Sequence, residues 1–483
     1  MRVLHVAAEL FPWVKTGGLA DVTAALPPAL ARLGVETRLL LPGFRAFLDA
    51  LPLTDVARLQ TPFARERVRL GRAALPGGAL HLYVVDHPAF YDRPGNPYAG
   101  PDGADWPDNP RRFALLGWVA AALAGGADPD WRADILHGHD WHAGLAPAYL
   151  AAAPVSPPVA TVYTVHNLAY TGFFPASAFA GLALPVGFFG VDGVEFYGGV
   201  SFMKAGLFYA DRLTTVSPTY AREIQTPAFG VGFEGLLRSR AAVLSGILNG
   251  VDPQVWSPEN DPELPQRYVL RTAGAGKAAA KAALQRRLGL DETPSAPLFG
   301  GVSRLTPQKG LDLLLTVVPD LVAAGGQLAL LGSGDRDLEQ GFAAAAFSHP
   351  ASIGVELGYD ESLSHLIVAG ADAMVVPSRF EPCGLTQLYA LRYGALPIVR
   401  RVGGLADTVI DATAATLAEG TATGFAFEEE SPQGLLRAVE RALALYRDRN
   451  AWRRVMRRGM TRDFSWDTAA RQYLELYRGL RPD

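Results

Sequence analysis

The strongest constraint in this sequence is a rhythm. Short apolar runs of strand length are separated by longer stretches with helical spacing, from one end of the chain to the other. A first series comprises Val3–Ala7, Thr37–Leu41, His81–Val85, Ile135–His139, Ala160–His166 and Leu213–Val216. A second comprises Gly246–Val251, Leu298–Ser303, Leu328–Leu331, Ile353–Leu357, Ala373–Pro377 and Leu396–Arg400. Strands that alternate with helices pair in parallel, because a parallel neighbour is reached through a crossover and not a tight hairpin. The pattern predicts an α/β protein of two Rossmann-like, doubly wound domains, and 483 residues supply chain for more than one core. We place the domains at 1–243 and 244–460, joined near Ser239–Ser245, with a Pro/Ala/Gly-rich connection at 258–297 that holds one helix around Ala278–Leu288. In the remaining segment, 461–483, the residues Trp466, Ala469, Tyr473, Leu476 and Tyr477 fall at helical spacing and suit packing back on the first domain.

Composition removes several function classes. Lys+Arg 44 against Asp+Glu 48 gives a net charge of −4, without the basic excess that drives nucleic-acid binding. The most apolar helical stretch, Phe113–Ala124, is shorter than the roughly 20 residues a membrane span needs. The opening MRVLHVAAELFPW reads as a first strand and lacks the layout of a signal peptide. One cysteine, Cys383, permits no intrachain disulfide, so a reducing, cytoplasmic setting is expected. Only five of the 44 cations are lysines (Lys15, Lys204, Lys277, Lys281, Lys309), which hints at places where a compact point charge is wanted in place of a guanidinium fork.

Four constellations fall at predicted strand ends. Lys15-Thr16-Gly17-Gly18-Leu19-Ala20-Asp21 is a cation, two glycines and a helix start, suited to a phosphate or a sugar hydroxyl, or else a plain strand-to-helix turn. The pentapeptide Gly-Gly-Leu-Ala-Asp recurs at Gly403–Asp407, where paired glycines again allow positive φ and close backbone approach. Arg304 and Lys309, five apart at a carboxyl strand edge, place two cations where open α/β sheets take ligands and would neutralise a pyrophosphate. In Ser378-Arg379-Phe380-Glu381-Pro382-Cys383-Gly384-Leu385-Thr386 a partly desolvated Glu381 needs a partner, and the helix start at Gly384–Thr386 offers a second phosphate seat. His137-Gly138-His139-Asp140-Trp141-His142 and Thr164-Val165-His166-Asn167 contain metal-ligand residue types, but no second cluster of recognised spacing follows. We read them as hydrogen-bonding groups at strand ends that recognise hydroxyls. Dinucleotide, Walker A, nucleophile-elbow and zincin motifs are incomplete or missing.

Taken together, KTGGLADV, HGHDWHAGLAP, TVHNLAYTG, VSPTYAREI, LNGVD, VSRLTPQKGLDL and SRFEPCGLTQLYALRYGALPIVRRVGGLADTV closely resemble the bacterial glycogen synthase family, from the first residue to the C-terminal helix. The resemblance implies the GT-B fold, two Rossmann-like domains facing across a catalytic cleft. It also implies retaining transfer of glucose from ADP-glucose to the non-reducing 4-hydroxyl of an α-1,4-glucan, with no metal or other cofactor. By motif match it implies that Arg304 and Lys309 bind the phosphates, with Cys383, Gly384, Leu385 and Thr386 adding to that seat, and that Glu381 holds glucose hydroxyls. Lys15, Gly17 and Gly18 lie beside the phosphates, His166 over the sugar, and Asp140 and Asn167 face the same space. Asp21, Asn249 and Tyr359 are further donor contacts, and Tyr98 flanks the site. Where related retaining families often carry a second glutamate eight residues after the first, this chain has Tyr389, which weakens any double-displacement scheme. The competing expectations are a catalytically silent glucan- or nucleotide-binding protein on the same scaffold, and a transferase that uses UDP-glucose.

Overall fold

The strand Arg2–Val6 is buried from Val3 onward, and its side chains alternate between two cores. Val3 joins Leu26, Leu30 and Tyr473 on one face, whereas Leu4 and Val6 join Phe113, Leu116 and Leu145 on the other. A strand buried on both faces belongs to a sheet covered by helices on both sides, and such strands read as continuous apolar runs. The computed structural model describes residues 1–75, 78 and 80–480, so the last three residues of the expected segment 461–483 lie outside the described residues. The chain divides into two compact units, Met1–Gly250 with Trp466–Asp483, and Val251–Ser465.

The first unit holds a nine-stranded sheet in the spatial order Leu244–Gly246, Arg212–Thr215, Ala160–Val165, Ile135–His139, Arg2–Val6, Glu36–Pro42, His81–Asp86, Val68–Ala74, Thr54–Leu59. All pairs are parallel except the last two, which form an antiparallel edge. That edge hairpin is absent from the sequence reading because TDVARL and VRLGRAA interleave charge with apolar residues, as half-exposed edge strands do. Helices Leu19–Arg32 and Trp466–Leu480 cover one face, and Arg32 donates to Asp467 at 2.6 Å where they meet. Helices Asn109–Ala124 and Leu145–Ala152 cover the other.

The second unit holds six strands, all parallel, in the order Ile353–Leu357, Gln327–Gly332, Leu298–Val302, Ala373–Val376, Leu396–Arg400, Phe425–Phe427. Numbered within the unit this is 3-2-1-4-5-6, the doubly wound order whose direction reverses beside its first strand. Two sequence expectations change here. Residues 246–251 do not open the second sheet; instead Leu244–Gly246 closes the first, paired with Arg212–Thr215. The units therefore divide at Gly250/Val251 and Ser465/Trp466, several residues beyond the joints read from the sequence. The helix of the connecting segment is longer than read, Ala273–Leu288.

Candidate functional site

In the second unit the reversal lies between the strands Leu298–Val302 and Ala373–Val376, where no crossover helix fills the space beyond the carboxyl ends. A small recess opens there, lined among others by Ser303, Lys309, Ser378, Glu381, Leu385 and Thr386. Its two loops are locked together: Gly310 has φ +64 and sits so close to Pro377 that an added Cβ would lie 2.2 Å from the carbonyl oxygen. The Arg379 amide donates to the Gln308 carbonyl at 2.8 Å. That closeness brings Lys309 Nζ to 2.6 Å from Glu381 Oε2, which also accepts from Ser378 Oγ at 2.8 Å. The buried carboxylate thus has its expected partner, an ammonium that itself stays partly exposed.

Beyond Glu381 the chain turns through buried Cys383 and Gly384 at φ +72, then starts the helix Thr386–Tyr393 with Leu385 as N-cap. No side chain caps that end, so its first amide groups remain aimed outward, as an anion seat requires. Arg304 stands exposed directly after the strand Leu298–Val302. Tyr359 is 77% exposed on the turn after Ile353–Leu357 and donates its hydroxyl to Glu361; it does not line the recess. Tyr389 belongs to the core, its ring 3.9 Å from that of Trp256 and almost parallel to it.

In the first unit the equivalent reversal lies between Arg2–Val6 and Ile135–His139. Glu9, just past the first strand, is buried and was missed by the sequence reading. It accepts from the Thr16 amide at 2.8 Å, from Thr16 Oγ1 at 2.5 Å and from the Tyr98 hydroxyl at 2.5 Å, and so clamps the Lys15–Gly18 loop. A carboxylate at the carboxyl end of a buried strand is the signal that could have found it. Burial, with the Glu9 charge, pushes the Tyr98 phenol well up. Lys15 pairs with Asp21 at 3.0 Å. Asp140, a non-glycine at φ +56, accepts from the amides of His166 at 2.7 Å and Asn167 at 3.3 Å. Burial pushes its carboxyl up to about 7 against those hydrogen bonds, with the charge of Glu9 adding. Asn249 is buried, and among the described residues its Oδ1 has no hydrogen-bond partner.

Several readings from sequence are refined. His137 is an internal strut, hydrogen-bonded to Tyr477 at 2.7 Å and Thr164 at 2.6 Å, with both ring nitrogens engaged. Its nitrogens are therefore not available to read a substrate hydroxyl. The lysine hint separates poorly. Lys204 donates to the carbonyls of Val191 and Glu195, Lys277 to those of Ala369 and Ala371, and Lys281 to Asp372 and Tyr446. A compact ammonium fits such buried carbonyl nests, and burial lowers Lys277 to about 7. Only Lys15 and Lys309 stand at strand ends. The repeated pentapeptide serves two purposes. Gly403 (φ +45) and Gly404 lie against the backbone of Glu381 and Cys383, where a Cβ would come within 1.9 Å and 2.0 Å of a carbonyl oxygen. Gly17 has ordinary φ, and a Cβ there would meet nothing within 4 Å.

Residues 2–239 match the starch synthase catalytic domain family, and residues 284–458 match glycosyl transferases group 1. The glycogen synthase of Albidiferax ferrireducens is 55% identical, covering 100% of this chain and 99% of the relative. That of Francisella tularensis subsp. novicida is 52% identical over 99% of both. The catalytic domain of starch synthase IV from Arabidopsis thaliana, solved bound to ADP and acarbose, superposes with a TM-score of 0.86 at 33% identity, covering 99% of each chain. A sucrose-phosphate synthase from Thermosynechococcus elongatus shares the fold, with TM-score 0.59 at 18% identity over 99% of this chain and 98% of that one. No helix among the described residues is long and apolar enough to cross a membrane. With two doubly wound parallel-sheet units of the GT-B class and full-length relatives at this identity, the chain belongs to the glycogen and starch synthase family of glycosyltransferases.

Proposed function

We propose that this chain transfers glucose from ADP-glucose to the non-reducing 4-hydroxyl of an α-1,4-glucan with retention of configuration, as a cytoplasmic enzyme. The observation that carries the reading is the Lys309–Glu381 pair at 2.6 Å beside the uncapped helix start at Leu385–Thr386. This places a cation, a hydroxyl-accepting carboxylate and free amides in one recess. In the proposed step Arg304, Lys309 and the Leu385–Thr386 amides meet the charge that grows on the departing diphosphate, which is electrostatic catalysis. Glu381, positioned by Lys309 and Ser378, accepts from glucose hydroxyls. Tyr389, packed on Trp256, supplies no nucleophile, so same-face attack by the acceptor as ADP leaves is the path the residues favour. Lys15, Gly17, Gly18, Asp21 and Asn249 are assigned to the donor, and Tyr98, Asp140, His166 and Asn167 to the sugar and acceptor side; Tyr359, which stands outside the recess, is not assigned.

Incubation with ADP-glucose and a maltooligosaccharide primer tests this. ADP release with chain extension is expected, unchanged by EDTA because side-chain cations carry the leaving-group charge. Absence of ADP release would favour a silent binding protein, and preferential turnover of UDP-glucose in direct competition would reassign the donor. Gly17 gives a second prediction. Neither strain nor packing demands glycine there, so Gly17→Ala is expected to leave stability within about 1 kcal/mol while activity falls, because the added methyl occupies space kept for the donor. Thermal melting beside initial rates checks this; wild-type activity would remove Gly17 from the site.

A further inference from the structure

Three imidazoles from three neighbouring strands form a hydrogen-bonded chain in the first unit. His5 Nδ1 lies 3.0 Å from His139 Nε2, and His139 Nδ1 lies 3.0 Å from His166 Nε2. All three are buried, His5 and His139 almost completely. Burial lowers His5 and His166 to about 3 and His139 well below its ordinary value, so each ring is neutral and carries one N–H.

Neutral rings in a line permit two arrangements of protons. In one, every bond is donated toward His166, and His5 is left with a bare lone pair on Nε2. In the other, every bond is donated away from His166, and His5 is left with an N–H on Nε2. His5 Nε2 is fully buried and has no partner among the described residues. A buried N–H without an acceptor is among the rarest features of folded proteins, so the first arrangement is favoured. It gives His166 an acceptor at Nε2, where His139 Nδ1 approaches, and its proton at Nδ1, the ring nitrogen that the histidine chain leaves unused. His137, the remaining histidine of this cluster, is not part of the chain, since Tyr477 and Thr164 occupy both of its nitrogens.

We infer that His5 and His139 are positioning residues that fix His166 in its Nδ1–H tautomer, so that His166 presents a hydrogen-bond donor to an oxygen of the substrate. This rests on the placement of His166 at the sugar, proposed above. The test uses the full-length protein labelled with ¹⁵N-histidine, with the His166 ring resonances assigned by their loss in His166→Asn. Protonated Nδ1 and bare Nε2 are expected for wild-type His166, a result that needs no variant to fold. In His139→Phe, which keeps a ring but removes the donor, this signature is expected to be lost and kcat to fall roughly tenfold, the scale of one hydrogen bond, with KM for the glucan little changed. His139→Asn keeps an N–H near the Nδ1 position and is expected to retain the signature and to lose less than about threefold. A proton on Nε2 of wild-type His166, or a signature unmoved in His139→Phe, overturns the inference. A signature lost in His139→Phe with kcat unchanged would instead overturn the placement of His166 at the substrate and leave the histidine chain standing.

Discussion

Lys309→Ala is expected to lower kcat by about 10²–10³, the range found when one preorganised transition-state donor is removed. Two effects act in the same direction. The ammonium that offsets charge on the leaving diphosphate is gone, and Glu381, 2.6 Å away in the native protein, is left with Ser378 as its remaining partner. Its unneutralised carboxylate then repels the anion the recess must hold. The fold should survive, because Lys309 sits in the single turn Pro307–Lys309 outside the sheet core and is partly exposed. The double variant Lys309→Ala/Glu381→Gln separates the two effects. It removes the unpaired charge, so any loss of stability should be recovered, whereas the rate should stay low. Lys309→Arg should recover only part of the rate, since a planar fork does not reproduce a point charge in this space. Steady-state rates with saturating donor, beside melting curves, decide it; turnover within threefold of wild type would exclude Lys309 from the chemistry.

His365→Leu is expected to destabilise the second unit by about 3–5 kcal/mol, the cost of removing one partner from a buried ion pair. Asp261 is fully buried and accepts from His365 Nδ1 at 2.7 Å and the Tyr393 hydroxyl at 2.5 Å. The His365 ring also stacks on Trp256, with centroids 3.8 Å apart, while Tyr389 covers the other side of the indole at 3.9 Å. Burial alone would lower His365, but its hydrogen bonds to Asp261 and Glu361 raise it to about 9. For Asp261, burial opposes ionisation and the bonds from His365 and Tyr393 outweigh it, holding the carboxyl below its ordinary value.

The signs set a pH window. The His365 contribution is complete below its unfolded value of about 6.5 and is lost as pH rises through about 9. The Asp261 contribution is present above its unfolded value near 3.8 and is lost as pH falls below it. Stability from this pair should therefore be greatest between about pH 4 and 6.5, then decline by about 3 kcal/mol toward pH 9. Urea unfolding across that range, followed by tryptophan fluorescence, should show a stability difference between wild type and His365→Leu that shrinks by that amount toward pH 9; other groups that titrate there, such as Lys277, act equally in both proteins and cancel. A difference between the two proteins that does not change with pH would exclude the His365–Asp261 pair as its origin.

The strands were legible because a strand buried on both faces is apolar nearly throughout, and Leu298–Val302 and Ala373–Val376 stand out as such. Lys309 and Glu381 were legible because cations and carboxylates at carboxyl strand ends have few structural reasons to be there. The edge strand Thr54–Leu59 carried no such signal, being half exposed and mixed in charge. Glu9 carries the same strand-end signal but no neighbouring cation or glycine loop to draw attention to it; its burial follows from Thr16 and Tyr98 closing over it, 7 and 89 residues away. The lysines show the converse, since Lys277 looks in sequence like Lys309 yet ends among backbone carbonyls.

By itself the amino-acid order determined that strands and helices alternate, that two doubly wound sheets result, and which charged residues fall at strand ends, because these depend on local periodicity and turn chemistry. Which residues face one another was decided only by the tertiary structure. His5 meets His139 across 134 positions, and Trp256 is covered by His365 and Tyr389, because strand order and register are set by how crossover helices pack on the sheet, a non-local balance that no short window of sequence contains.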